Sequence, residues 1–205
     1  MAGWARGWRL AAAVAGAAVL LAVTTQATAS RTTADDAVLV ARGEVLWDPG
    51  GEPLSVESRD QERPRLVSDG ASGAIVVWED GREGAPGIYA QRVLSDGTAA
   101  WATNGVSLSG HSAVFLPMLA EDEAGGAIVV WEDRRDGNAD VYAQRVLPDG
   151  TAAWATGGIS VCAMAGEQYV TGIVPDGSGG AIGGWYDIAG MDSDIYAQRL
   201  SPDGT

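Results

Sequence analysis

Ala127-Ile128-Val129-Val130-Trp131-Glu132-Asp133 returns with little change elsewhere in the chain. An earlier copy is Ala74-Ile75-Val76-Val77-Trp78-Glu79-Asp80, and a later, weaker one is Ala181-Ile182-Gly183-Gly184-Trp185-Tyr186-Asp187. Trp78 to Trp131 is 53 residues and Trp131 to Trp185 is 54. A second block keeps the same step: Ile88-Tyr89-Ala90-Gln91-Arg92, Val141-Tyr142-Ala143-Gln144-Arg145 and Ile195-Tyr196-Ala197-Gln198-Arg199. Self-similarity at a fixed period of this size is the mark of an array architecture. The run Ile128 to Trp131 is β-branched and apolar on both faces, so the strand it forms is buried on both sides. A sheet with one wet face would alternate; stacked sheets explain the pattern.

Within the middle repeat, residues 117–162, Pro117 to Ala120 reads as a short first strand, closed by the turn-forming Asp122-Glu123-Ala124-Gly125-Gly126. Ala127 to Glu132 is the second strand and Val141 to Leu147 the third. Thr151 to Thr156 with Gly158 to Val161 make a fourth, interrupted at Gly157-Gly158. Four short strands joined by Gly, Asp, Asn and Pro turns, with no amphipathic helix, predict an all-β meander. A four-stranded unit of this length matches a propeller blade, for which about 40–50 residues are usual. The predicted fold is therefore all-β: a β-propeller-like array of three blades of about 53 residues, over 64–109, 117–162 and an incomplete 171–205. A further copy of the fourth strand stands alone at 43–55, where Trp47 precedes Trp101 by 54 residues. It is the piece that the last repeat lacks. Because rings usually need about 4–8 blades, the array reads as an incomplete ring and the chain as a fragment of a longer repeat protein. Self-assembly of three-blade chains is the alternative.

Residues 1–29 read as an export signal: Arg6 and Arg9 with no acid, an apolar run from Leu10 to Val23, and small residues at Ala27-Thr28-Ala29. Residues 30–42 follow as a linker, and 43–205 as the repeat domain. The apolar run is shorter than the about 20 residues of a membrane span. Without the signal, 11 basic and 27 acidic residues give a net charge of −16, and every basic residue is arginine. Nucleic acid and anionic membranes are bound through basic clusters, so both are excluded as partners. A protein or a carbohydrate remains.

Cys162 is the only cysteine, which rules out an intrachain disulfide and points to a buried structural thiol. The paired tryptophans of each repeat, Trp78, Trp131 and Trp185 with Trp47, Trp101 and Trp154, recur as packing between like units demands. Arg92, Arg145 and Arg199 need acidic partners in an apolar sheet; Asp80, Asp133 and Asp187 recur with them and are the expected pairs. Asp133, Asp136, Asn138 and Asp140 place four oxygen side chains within eight residues around Gly137, a calcium candidate, although the twelve-residue loop with its terminal glutamate is absent. A solvated hairpin is the alternative. His111, the only histidine, lies in a connection between repeats and is expected to be exposed and without a role. No serine elbow, zinc-type histidine cluster, phosphate-cradling loop or dinucleotide fingerprint occurs.

The Gly-Gly-Ala-Ile-Val-Val-Trp-Glu-Asp run, with Val-Tyr-Ala-Gln-Arg-Val-Leu-Pro-Asp-Gly and a tryptophan four residues on, resembles a repeat of large, mostly uncharacterised secreted bacterial proteins. The resemblance covers Gly43 to Thr205. Tyr142 to Trp154 is also similar to the final strands of quinoprotein-type propeller repeats. The resemblance implies a β-propeller exported to the periplasm or cell exterior, and no established activity. A non-catalytic binding or scaffold module is the expectation; a propeller enzyme, a glycosidase or quinone-dependent dehydrogenase, is the alternative.

Overall fold

The recurring Ala-Ile-Val-Val-Trp-Glu-Asp run forms the second strand of its sheet. In a computed structural model, which describes residues 46–111 and 113–205, the first sheet is β1 (Gln61–Ser68), β2 (Ala74–Asp80), β3 (Gly87–Val93) and β4 (Val106–Ser107). The second is β5 (Val114–Glu121), β6 (Ala127–Asp133), β7 (Asp140–Val146) and β8 (Ile159–Cys162); the third is β9 (Glu167–Pro175), β10 (Ala181–Ala189) and β11 (Asp192–Leu200). Strands follow chain order and every pairing is antiparallel, so the described residues form an all-β set of meanders, two of four strands and one of three. The expected signal peptide, linker and residues 43–45 lie outside the described residues.

Local chemistry explains the turns. Asp69 Oδ1 accepts the N–H groups of Ala71 and Gly73, both at 2.8 Å, and Asp122 Oδ1 those of Ala124 and Gly126 at 2.9 and 2.7 Å. An aspartate that bonds the backbone two and four residues on closes the β1–β2 and β5–β6 turns. The fourth strand is shorter than the sequence predicts. It touches its neighbour first at an isolated bridge, Val93 to Ala99 or Val146 to Ala152, loops out, and returns as β4 or β8. Gly105 and Gly158 bring it back, with φ of +85° at each. A Cβ there would lie 2.6–2.7 Å from Cη2 of Trp78 or Trp131.

The sheets stack face to face. Ala127, Val129 and Trp131 of β6 pack with Ile75, Val77, Ile88 and Ala90 of the first sheet. Their neighbours Ile128 and Val130 turn the other way, against Ala181, Trp185 and Leu200 of the third. Every residue of β6 is buried, as a run apolar on both faces requires. The first strands approach one another, β1 beside β5 and β5 beside β9. Cys162, expected to be buried, is only half-buried at the end of β8, packed on the second cluster.

Candidate functional site

At the end of each sheet that carries the β2–β3 or β6–β7 loop, one constellation repeats. Trp78 Nε1 donates to Asp80 Oδ2 at 2.8 Å, and Trp131 Nε1 to Asp133 Oδ2 at 3.0 Å. Each aspartate is gripped by the arginine two residues on, Arg82 or Arg135, whose Nη2 lies 2.6 Å away. That arginine also donates to a backbone carbonyl of the fourth-strand loop, Asn104 or Gly157, at 2.7 Å, and lies 3.9 Å over the ring of Tyr89 or Tyr142. Burial alone would raise the aspartate pKa values, but the arginine and indole hydrogen bonds outweigh it and hold both carboxyls below their usual range. His111 is half-buried, with its Nε2 3.2 Å from Asp133 Oδ2, which places the connection between sheets beside this aspartate.

The expected pairing of Arg92, Arg145 and Arg199 with Asp80, Asp133 and Asp187 is corrected. Arg92 pairs with Asp69 at 2.8 Å, Arg145 with Asp122 at 2.8 Å and Arg199 with Asp176 at 2.6 Å. Antiparallel register gives the reason. Arg92 stands opposite Ile75, and Asp80 lies five residues further along β2, about 17 Å away at strand rise. The arginine meets the turn that opens the second strand, so the turn aspartates are clamped twice, by backbone N–H groups and by a guanidinium.

These residues also link one sheet to the next. Gln91 Oε1 accepts the backbone N–H of Trp101 at 2.8 Å, and Trp101 Nε1 donates across to Pro148 O of the second sheet at 3.0 Å. Gln144 holds Trp154 N at 2.9 Å, and Trp154 Nε1 reaches Pro202 O of the third sheet at 3.2 Å. Arg92 and Arg145 donate to the same two carbonyls. The tryptophans are legible as packing residues; the glutamine recurs in every repeat, but its partner is not legible in the sequence, because the bond runs from a side chain to a backbone N–H ten residues away.

A set of carboxylates that the sequence did not single out lies where the second strands meet the next sheet. Glu79 is fully engaged: Arg63 Nη1 lies 2.6 Å from Oε2, and the N–H of Leu116 donates to Oε1 at 2.7 Å. A cleft of about 240 Å³, lined by Arg59, Asp60, Glu62, Glu79 and Pro86, opens beside it. Leu116 presents that N–H because it sits in a bulge of β5 with φ +53°. Glu132 occupies the same place in the second sheet, but the strand facing it, β9, has no residue of positive φ. Glu132 is buried and its Oε1 has no partner among the described residues. Burial, reinforced by the charges of Glu79 and Glu167 and opposed by Arg134, pushes its carboxyl up to about 7. Tyr186 replaces the glutamate in the third repeat and stacks on Tyr169 at 5.0 Å. That break in the motif was the available signal.

Of the calcium candidates, Asp133 faces Trp131 and Arg135, Asp136 is exposed, and Asn138 Nδ2 donates to Asp140 Oδ1 at 2.6 Å. Burial raises the Asp140 carboxyl above its usual range, against the pull of the Asn138 hydrogen bond. The structure thus brings Asn138 and Asp140 together and turns Asp133 into another set of bonds. Among the described residues, no three His, Cys, Asp or Glu side chains are grouped as for a metal ion. No protein-family model matches the chain, and no curated protein matches it.

Proposed function

We propose that this chain is an exported, non-catalytic β-propeller-type repeat module with a binding or scaffold role. The observation that carries the reading is the use made of the recurring polar side chains. Arg82 and Arg135 close the loop ends, Arg92 and Arg145 the turn ends, and the Gln-Trp bridges tie sheet to sheet. Groups consumed in this way hold a stack together and leave variable loops to meet a partner, a protein or a carbohydrate. Export rests on the N-terminal signal, and mass spectrometry of the secreted product finding Ser30 as its first residue tests it. Calcium at Asp133, Asp136, Asn138 and Asp140 is a subsidiary proposal, and titration calorimetry with calcium tests that.

One observation favours the alternative, a glycosidase-type propeller enzyme. Burial, reinforced by the charge of Glu79, pushes the Glu132 carboxyl up to about 7, which is how a general acid beside a second carboxylate is tuned. The module reading is preferred because both oxygens of Glu79 are already bound. Turnover of a panel of aryl glycosides, lost in Glu79→Gln and Glu132→Gln, would replace the module with the enzyme; no turnover by the wild-type chain is the expected result.

A further inference from the structure

The β2–β3 and β6–β7 loops are equal in length but filled differently. Asn138 and Asp140 stand in the second where Ala85 and Gly87 stand in the first, each a step of 53 residues away. In the second loop these two side chains close the space between the hairpin and the connection to the third sheet. Asn138 Nδ2 donates to Asp140 Oδ1 at 2.6 Å and to Gly166 O at 2.8 Å, and Asp140 is buried. In the first loop Ala85 has no group to donate and Gly87 has no side chain. A cleft of about 260 Å³ opens there, lined by Glu83, Ala85, Gly87, Tyr89 and Ser107 and walled by the connection at His111. Asp80, at its edge, is already held by Trp78 and Arg82. The Tyr89 hydroxyl lies 3.5 Å from Glu83 Oε1, too far for a strong bond between them.

We infer that this cleft binds one neutral sugar residue, so that the partner of the module is a carbohydrate. The cleft is smaller than the about 300–1,000 Å³ of pockets for drug-sized ligands, which leaves room for a single sugar ring. The Glu83 carboxylate accepts hydrogen bonds, and the hydroxyls of Tyr89 and Ser107 both donate and accept. Sugar hydroxyls do the same, while the Ala85 methyl and the tyrosine ring suit the C–H groups of a sugar. A phosphate or carboxylate ligand would meet the charge of Glu83. A metal ion is disfavoured too, because Asp80 is engaged and no three ligating side chains are grouped among the described residues. The Arg82 guanidinium, 3.9 Å over the Tyr89 ring, fixes the ring that presents the hydroxyl. The cleft therefore sits where the two repeats differ, on a loop held by a rigid frame, which is where recognition is placed.

The inference rests on the reading of the chain as a binding module, and a sugar titration tests it. The isotope-labelled full chain is titrated by NMR with the methyl glycosides of glucose, galactose, mannose and N-acetylglucosamine, up to tens of millimolar. At least one glycoside is expected to give saturable amide shifts at Glu83, Gly87 and Ser107. Ala85→Asn with Gly87→Asp copies the filling of the second loop and should weaken that binding roughly tenfold or more with an unchanged thermal transition. Glu83→Ala, at an exposed residue, removes an acceptor and should also weaken it, which keeps the test intact if the double variant fails to fold. No saturable shift with any of the glycosides overturns the inference, as do shifts that persist undiminished in these variants. Hydrolysis of a glycoside shows in the same spectra. A silent titration without hydrolysis removes the sugar site alone, and saturable shifts with hydrolysis keep the site and remove the non-catalytic reading alone.

Discussion

Glu132 is the residue whose environment departs furthest from its neighbours' chemistry. It stands in the same motif position as Glu79, yet the strand opposite lacks the bulge that gives Glu79 an N–H donor. Its folded pKa is raised, so protonation favours the folded state. The molecule is expected to lose stability as pH rises from the unfolded value of 4.5 to about 7 and to level off above that. A shift of this size corresponds to about 3 kcal/mol. Urea denaturation between pH 4.5 and 8 should show that decline in the wild type and a flatter curve in Glu132→Gln. Asp80 and Asp133 act oppositely: their lowered pKa values contribute stability that is present above about pH 4 and lost as pH falls below it. Arg145→Met leaves Asp122, with no exposed side-chain surface, without its counter-ion, and about 3 kcal/mol of stability should be lost. Arg199→Met at a 59% exposed arginine should cost clearly less, and the two thermal transitions measured side by side check the ordering. That these arginines need acids was legible from their recurrence. Which acids was not, because the recurrence of Asp80 with Arg92 says nothing of the end of the hairpin on which each one falls.

At the level of the strands, the second and third of the middle repeat were legible almost to the residue: Ala127–Asp133 against an expected Ala127 to Glu132, and Asp140–Val146 against Val141 to Leu147. Their β-branched runs are bounded by strong turn residues on both sides, which leaves little choice of register. The fourth strand was read too long, because its first part is pinned by side-chain and turn bonds to Trp101 or Trp154 in place of a ladder. Gly158 is the hinge of that departure. Gly158→Ala would hold a Cβ at positive φ, 2.7 Å from both Ala143 O and Trp131 Cη2. The expected cost is about 3 kcal/mol, the sum of left-handed strain and overpacking. Gly172→Ala on β9, where nothing lies within 4 Å and φ is not positive, should leave the denaturation midpoint unchanged or slightly raised. If both substitutions cost the same, close packing of the loop on Trp131 is not what shapes the fourth strand.

For the molecule as a whole, the sequence announced stacked sheets and a spare fourth strand. It left open where that strand lies, because Trp47 obeys the 54-residue step whichever sheet it joins. The structure seats it on the first sheet, through the same bond from an indole to a turn carbonyl that joins the internal sheets: Trp47 Nε1 donates to Ser95 O, Trp101 Nε1 to Pro148 O and Trp154 Nε1 to Pro202 O. One contact thus recurs at successive steps of the array, which is why these tryptophans keep the period. Trp101→Phe keeps an aromatic ring and removes the donor, while Pro148 O keeps Arg92. The expected loss is about 1 kcal/mol, and urea denaturation checks it. Trp47→Phe, at a partly exposed indole, should cost less. If the two substitutions cost the same, burial between sheets is not what makes the indole bond count.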